Sequence, residues 1–332
     1  SLALGTVAGA FFGPFFLNWL FAHRAGARYR FILDWRNEGL REWVRLSLPL
    51  MAGVSLVTAD NWIIAYFASA TSGAVSLMTY AKQVFTAPMA MLAQATGAAS
   101  LPFFASLWTQ NRRYEFATEV ADSVSRVAAL GVLLASAMIV LATPAIALIF
   151  AGGEFSFANA RLCAHYFAIF SLSMFLWSAQ AIYARAFYAA GNTRLPMIAS
   201  TIVTAISLPM YAGLYRSLGV AGLAVASNAG IALQTCTIAV LLHRRRMVSL
   251  ASLDYAELGR CLAASLAGGV AAWLAVRGVG ALTALQKAHS VRWMYMAEVL
   301  AGAAVWLPLT MAVLEKTGSA LPRVALRRLG LR

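Results

Sequence analysis

Long apolar stretches recur along the whole of this chain, and they constrain its fold more than any other feature. Each is about 20 residues long, the length of an α-helix that crosses the hydrocarbon core of a bilayer. Backbone groups find no water there, so a spanning segment must satisfy its own hydrogen bonds as a helix. We therefore predict an all-α polytopic membrane protein with about nine transmembrane helices. The predicted spans are 2–21, 46–67, 74–99, 127–150, 163–188, 197–215, 220–242, 258–279 and 293–314.

Composition supports a membrane protein and offers no sign of catalysis. Of the 332 residues, 61% are hydrophobic and only 11% are charged, against about a quarter in soluble domains. The cysteines Cys163, Cys236 and Cys261 lie in apolar sequence at no metal-like spacing, as buried small residues do. The sequence contains no glycine-rich nucleotide loop and no cluster of histidines or cysteines. We expect no enzyme, no metal site and no cofactor.

The positive charge of the chain is distributed as in membrane proteins. The net charge is +14, which in a soluble protein would suggest nucleic acid, but cytoplasmic loops of membrane proteins are also basic. Here basic residues gather in alternate connections, so we expect no nucleic-acid partner, and we expect the 23–45 loop and the C-terminus in the cytoplasm. Nine spans then place residue 1 outside. Because no signal peptide precedes it, we expect the chain to be part of a longer protein.

The segment 23–45 is the most basic connection, with six arginines. Asp34 is a candidate N-cap for an amphipathic helix lying on the inner membrane surface. The basic run either binds anionic membrane lipids or serves orientation alone.

Asp60 and Lys82 lie deep inside predicted spans, where charge is expensive and each ionisable residue is a candidate for function. Asp60 is on the second span and Lys82 on the third, at equal distances from the connection between them. On antiparallel helices they would share a depth of about 15 Å. They form either an internal ion pair that fixes helix register, or a charged pair beside a wet cavity where Lys82 binds an anion.

Four further polar residues complete the candidate binding set. Asn61 and Gln83 flank the charged pair, and Asn228 on the seventh span is a further uncharged hydrogen-bonding group. Arg185 lies near the inner end of its span, where it either binds substrate or extends to the membrane surface.

Three strings resemble a known family: "LSLPLMAGVSLVTADNWIIAYFAS", "GAVSLMTYAKQVFTAPMAMLAQATGAASLPFFASL" and "YARAFYAAGNTRLP". They are similar to the lipid II flippase family MurJ/MviN, of the MATE-like MOP exporter superfamily. Members have two six-helix lobes and two extra C-terminal helices. The resemblance implies that 1–22 is the last helix of the first lobe, 23–45 a basic cytoplasmic linker and 46–245 the second lobe. It further implies two extra helices in 246–315 and a basic cytoplasmic tail in 316–332. About the first five helices of family members have no counterpart in this sequence.

The resemblance also implies a function. Family members move undecaprenyl-pyrophosphate-linked peptidoglycan precursor from the inner to the outer leaflet of the bacterial inner membrane by alternating access, which needs both lobes. Where members commonly carry an acidic residue and an arginine after a tyrosine–alanine pair, this chain has Lys82 and Gln83. The positive charge is thus displaced by about 100° around the helix, and we expect Asp60 to compensate for the missing acid.

A sodium site of some members aligns with Ser207 and Tyr211, which are poor ligands for a hard cation. Three alternatives remain: a flippase for another polyprenyl-linked polysaccharide precursor, a MATE-like exporter of small molecules, and a membrane scaffold without transport.

Overall fold

The computed structural model describes residues 2–26, 37–52, 56–153, 155–285 and 291–322. These residues are helical nearly throughout, and the all-α prediction is confirmed. Extended pairing within the described ranges is confined to one antiparallel bridge between Gly152 and Phe155. Residues 1–47 and 48–332 form two compact units, the first and the second unit.

The helices of the described residues follow in chain order. They are α1 (Leu2–Ala10), α2 (Leu17–Arg24), α3 (Glu38–Ala52), α4 (Leu56–Ala68), α5 (Ala74–Thr109), α6 (Arg113–Val140), α7 (Ala142–Phe150), α8 (Phe157–Ser171), α9 (Met174–Ala189), α10 (Arg194–Leu218), α11 (Val220–Arg244), α12 (Tyr255–Leu285) and α13 (Val291–Lys316).

Within the described ranges, five helices are long and apolar enough to cross a membrane by length and composition. They lie at Arg113–Val140, Arg194–Leu218, Val220–Arg244, Tyr255–Leu282 and Val291–Lys316. Helices α8 and α9 pass the same test together, as one span bent by 46°. The membrane-protein class is thus supported, and the number nine stays a prediction.

The first unit begins with one apolar segment in three parts. A π-helical stretch, Phe11–Phe16, separates α1 from α2. Pro14 lies inside it, and a proline lacks the N–H that a regular α-helical hydrogen bond needs. Helix α3 begins at Glu38, and the Asn37 side-chain oxygen accepts the N–H of Leu40 at 3.2 Å. Asp34, our candidate cap, lies outside the described residues.

In the second unit, α5 packs against α8 and α9, while α4 packs against α10 and α11. Helix α6 packs against α9 and α12, and α12 pairs with α13. One buried apolar cluster lies near the α4–α5, α7–α8 and α10–α11 connections. A second lies near the α5–α6, α9–α10 and α11–α12 connections. The second unit is therefore a bundle of antiparallel helices with a core towards each end.

Two tight connections bring neighbouring helices together at the same end of this bundle. Gly73, with φ +75°, precedes α5, and Gly219, with φ +62° and ψ −145°, separates α10 from α11. Residues with a Cβ rarely adopt these angles. The short connections place α4 beside α5 and α10 beside α11, with antiparallel directions.

The bend between α8 and α9 occurs at Leu172 and Ser173 without proline or glycine. Two serine hydroxyls donate to main-chain oxygens of α8: Ser171 to the Phe167 oxygen at 2.7 Å and Ser173 to the Phe170 oxygen at 2.9 Å. Such bonds compete with the helical pattern and accompany helix bends.

Candidate substrate-binding site

The centre of the candidate site is the carboxylate of Asp60, which is only 1% exposed. One oxygen, Oδ2, accepts hydrogen bonds from the Lys82 ammonium and, at 2.9 Å, from the Ser227 hydroxyl. The other oxygen, Oδ1, accepts a hydrogen bond from the Tyr211 hydroxyl. We call these four residues the polar cluster. It joins α4, α5, α10 and α11 around one buried negative charge.

Helical periodicity explains why α4 directs Asp60 inward. Asp60, Ile63 and Ile64 are buried and recur at the three- and four-residue spacing of one helix face. Trp62 and Tyr66 are exposed on the opposite face. Asp60 therefore stands within the apolar stripe that packs against the bundle.

On α5 the buried stripe is formed by Met78, Ala81 and Phe85, and Lys82 lies at its edge. Its side chain is 12% exposed, while the next residue, Gln83, is exposed. Lys82 therefore reaches Asp60 from the border of the core and keeps access to the space outside it.

The two hydroxyl donors come from a second pair of helices. Val203, Ser207 and Tyr211 recur every four residues on the buried face of α10, and Leu223 and Ser227 do so on α11. Because α10 and α11 both pack against α4, their hydroxyls reach the Asp60 carboxylate.

The polar cluster neutralises a charge that would otherwise be costly. Removing one partner from a buried ion pair typically costs about 3–5 kcal/mol, because the remaining charge is left without compensation. Hydrogen bonds to a charged group contribute about 1.5–3 kcal/mol each. Asp60 is thus held by one cation and two neutral donors.

A cavity of about 360 Å³ lies beside Lys82. Its wall comes from α4, α5 and one residue of α9: Asn61, Ile64, Ala65, Val75, Met78, Thr79, Lys82, Gln83, Phe85, Thr86, Met89 and Trp177. Lys82 is the charged residue of this wall, and Asp60 is not part of it. The cavity therefore presents one cation with neutral polar groups, an arrangement suited to an anionic group.

The structure brings together some of the predicted binding residues and separates others. Asn61 and Gln83 line the cavity with Lys82. Asn228 lies elsewhere: its side-chain nitrogen donates to the Ile169 oxygen next to the α8–α9 bend, at 2.5 Å. Arg185 lies on α9 and is not among the residues that line this cavity.

Sequence reasoning missed the two hydroxyl partners of Asp60. Tyr211 and Ser207 align with a sodium site of some family members and are poor ligands for a hard cation; in the structure Tyr211 donates to Asp60, and Ser207 donates to the Val203 oxygen of its own helix at 2.7 Å. Ser227 was not singled out. On α10 the signal is the four-residue spacing of Ser207 and Tyr211, which marks a polar stripe but not its partner, whereas on α11 the residues four positions from Ser227 are Leu223 and Ile231.

A buried ion pair inside an apolar helical bundle is costly and marks a candidate functional site, and here it borders a mostly apolar cavity that presents one cation and a few neutral polar groups. The class that the fold and the site define is therefore a polytopic helical membrane protein with a buried charged pair beside a cavity.

Comparison with known proteins gives the family. The model of the family "Lipid II flippase MurJ" matches residues 1–291, and the chain belongs to the lipid II flippase MurJ family. A probable lipid II flippase MurJ of Rhizobium meliloti (strain 1021) is 27% identical over 208 residues, which are 63% of this chain and 39% of that protein. One of Bdellovibrio bacteriovorus is 25% identical over 192 residues, which are 58% of this chain and 36% of that protein.

A solved structure supports the fold. Lipid II flippase MurJ in an inward closed conformation superposes with a TM-score of 0.62 at 15% identity, covering 88% of this chain and 57% of that one. The chain thus spans between about a third and three-fifths of the proteins it matches.

Proposed function

We propose that this chain forms part of a flippase that moves undecaprenyl-pyrophosphate-linked peptidoglycan precursor, lipid II, from the inner to the outer leaflet by alternating access. Membership of the MurJ family supports this activity. Because the chain matches only part of its relatives, a further N-terminal lobe is proposed to complete the transporter. The chain by itself would then lack the second body that alternating access requires.

The observation that carries the proposal is the position of Lys82 between Asp60 and the cavity. A pyrophosphate that crosses hydrocarbon needs a cation to replace its hydration. The Lys82 ammonium can contact a phosphate oxygen in the cavity by a side-chain movement alone, while α5 stays in place. Asn61 and Gln83 lie in the same wall and supply side-chain amide donors to the remaining oxygens.

The roles of Asn228 and Arg185 are proposed separately. Asn228 contacts the main chain at the α8–α9 bend, so we assign it to the support of that bend rather than to direct contact with phosphate. Arg185 keeps its predicted role in substrate binding, in a part of the path other than the described cavity.

The proposed arrangement in the membrane follows the charge pattern. Segment 1–22 completes the first lobe, 23–45 is the cytoplasmic linker, 46–245 forms the second lobe, 246–315 adds two helices and 316–332 is a cytoplasmic tail. Basic residues favour the cytoplasmic side and would also attract anionic membrane lipids. The location is the bacterial inner membrane.

Charge at the cavity favours a phosphate over the cationic compounds of small-molecule exporters. A cationic substrate needs an acidic residue in the wall, whereas the Asp60 carboxylate lies behind Lys82 and is fully engaged by the polar cluster.

Rescue of a flippase-depleted bacterium tests the proposal. The chain is expressed together with the proposed N-terminal lobe, as wild type, Lys82→Ala or Lys82→Glu, and membrane abundance is measured for each. We expect wild type to restore growth and Lys82→Glu to abolish rescue at unchanged abundance, because a carboxylate repels phosphate. The chain alone is expected to give no rescue.

Two outcomes would contradict parts of this proposal. Equal rescue by all three forms would support the flippase activity but would show that Lys82 does not bind substrate and has only a structural role. Absence of rescue by an abundant wild-type protein would reject lipid II as substrate and favour another polyprenyl-linked glycan or a scaffold role.

A further inference from the structure

The Asp60 carboxylate has more donors than an ion pair requires. Oδ2 accepts from Lys82 and Ser227, and Oδ1 accepts from Tyr211. If Lys82 moved away, each oxygen would therefore keep one hydroxyl donor. A buried carboxylate paired with lysine alone would instead be left without any partner, at a large cost in free energy.

These hydroxyl donors are held firmly in place. Tyr211 is completely buried and Ser227 nearly so. They sit on α10 and α11, which pack against each other and against α4, the helix of Asp60. The carboxylate and its two hydroxyl donors thus belong to one packed group of three helices, while Lys82 comes from α5.

Lys82 differs from the other members of the cluster in having a second environment within reach. It lines the cavity, and its side chain remains partly exposed. Its ammonium also lies 5.9 Å from the centre of the Phe170 ring, within the distance of a favourable cation–π contact. Movement towards the cavity would bring the ammonium to the neutral polar side chains of the cavity wall, among them Asn61, Gln83 and Thr86.

We propose that Tyr211 and Ser227 are positioning residues that keep Asp60 satisfied as an anion, so that Lys82 can exchange Asp60 for a phosphate in the cavity. This inference rests on the proposed function, because it assumes that the cavity receives a phosphate. In the empty site Lys82 pairs with Asp60. In the occupied site Lys82 contacts phosphate, and the carboxylate retains the two hydroxyl bonds.

The exchange predicts an effect that a purely structural role of Tyr211 would not produce. Tyr211→Phe removes one donor from Asp60, so release of Lys82 becomes more costly and phosphate affinity falls. Asp60→Asn removes the negative charge that competes with phosphate for Lys82. In that background, loss of the Tyr211 hydroxyl should no longer lower phosphate affinity. The double variant should therefore regain the affinity that Tyr211→Phe loses.

The test measures binding of farnesyl pyrophosphate, a short polyprenyl pyrophosphate, to the full chain in lipid nanodiscs by calorimetry. One hydrogen bond to a charged group corresponds to about tenfold or more in affinity. We expect about tenfold weaker binding for Tyr211→Phe and restoration to at least the wild-type affinity for Tyr211→Phe combined with Asp60→Asn. Melting temperature confirms that each variant is folded.

Tyr215→Phe is the matched control. This tyrosine lies one turn further along α10, and its hydroxyl faces Thr71 at 3.4 Å rather than Asp60, so binding should not change. Should Tyr211→Phe fail to fold, Ser227→Ala replaces it, with weaker binding again restored by Asp60→Asn.

The inference and the proposed function fail in distinguishable ways. Wild-type affinity in Lys82→Ala would reject phosphate binding at this lysine, and with it both the exchange and the proposed role of Lys82, whereas the flippase activity itself is tested by the rescue experiment. Loss of binding in Lys82→Ala, together with wild-type affinity in Tyr211→Phe, would reject only the positioning role. Weaker binding in Tyr211→Phe without restoration by Asp60→Asn would also overturn it.

Discussion

The stability of the bundle should depend unequally on the two charges of the buried pair. Lys82→Met leaves the Asp60 carboxylate with two hydroxyl donors but no cation, at a position whose side chain is 2% exposed. Asp60→Asn leaves Lys82, which is 12% exposed and faces the cavity. An asparagine oxygen can still accept from Tyr211. Removal of the lysine should therefore be the more damaging change.

The expected magnitudes follow from general values for buried charges. Removal of one partner costs about 3–5 kcal/mol, and the two remaining donors place Lys82→Met near the lower value, about 3 kcal/mol. Asp60→Asn should cost about 1–2 kcal/mol, comparable to weakened hydrogen bonds to a charged group. The double variant has no unpaired charge and should cost about 2 kcal/mol. The coupling between the two sites is then about 2–3 kcal/mol.

Reversible unfolding of the purified chain in mixed micelles, followed by circular dichroism, measures these free energies. Gln83→Met is the matched control, because Gln83 follows Lys82 on α5 but is exposed, and it should leave stability nearly unchanged. Effects of the two single changes that add to within about 0.5 kcal/mol would show no coupling. Additivity would refute the view that the ion pair stabilises this bundle.

Two further predictions concern helix contacts. Gly222→Ala would place a Cβ at 2.0 Å from the Leu214 oxygen, so we expect the free energy of unfolding to fall by about 1–3 kcal/mol. Gly213→Ala, with open space around it, should be nearly neutral, and equal stability of the two variants would contradict the close approach of α10 and α11. Asn228→Ala removes the side-chain donor to the Ile169 oxygen and should lower local stability by about 1 kcal/mol. Amide hydrogen exchange at the α8–α9 bend should then be faster, and unchanged exchange there would show that the bend does not depend on this bond.

The helical class and the proximity of Asp60 and Lys82 were accessible from sequence for a physical reason. Apolar length indicates a spanning helix, and a short connection with a fixed rise per residue sets equal depth on neighbouring helices. Whether the two side chains face each other depends on helix rotation, which two residues do not determine. The buried stripes on α4 and α5 settle that rotation only once the packing is known.

The other partners of Asp60 could not be assigned from sequence. Tyr211 and Ser227 are distant from Asp60 along the chain, and the contact depends on which helices pack together. The α8–α9 bend is similarly inaccessible, because "FSLSMF" contains neither proline nor glycine. Serine competes with helical bonding in many continuous helices too, so the sequence pattern does not locate a bend.

The bend between α8 and α9 sets the position of one residue of the cavity wall. Phe170, whose ring lies near the Lys82 ammonium, stands just before the bend, and Trp177, which lines the cavity, stands one turn beyond it. One turn is about 5.4 Å of helix, so a 10° change in the bend angle displaces the Trp177 backbone by about 1 Å relative to Phe170. A change of this size in the α8–α9 angle would therefore shift the one residue that α9 contributes to the cavity wall, and with it the width of the cavity beside Lys82.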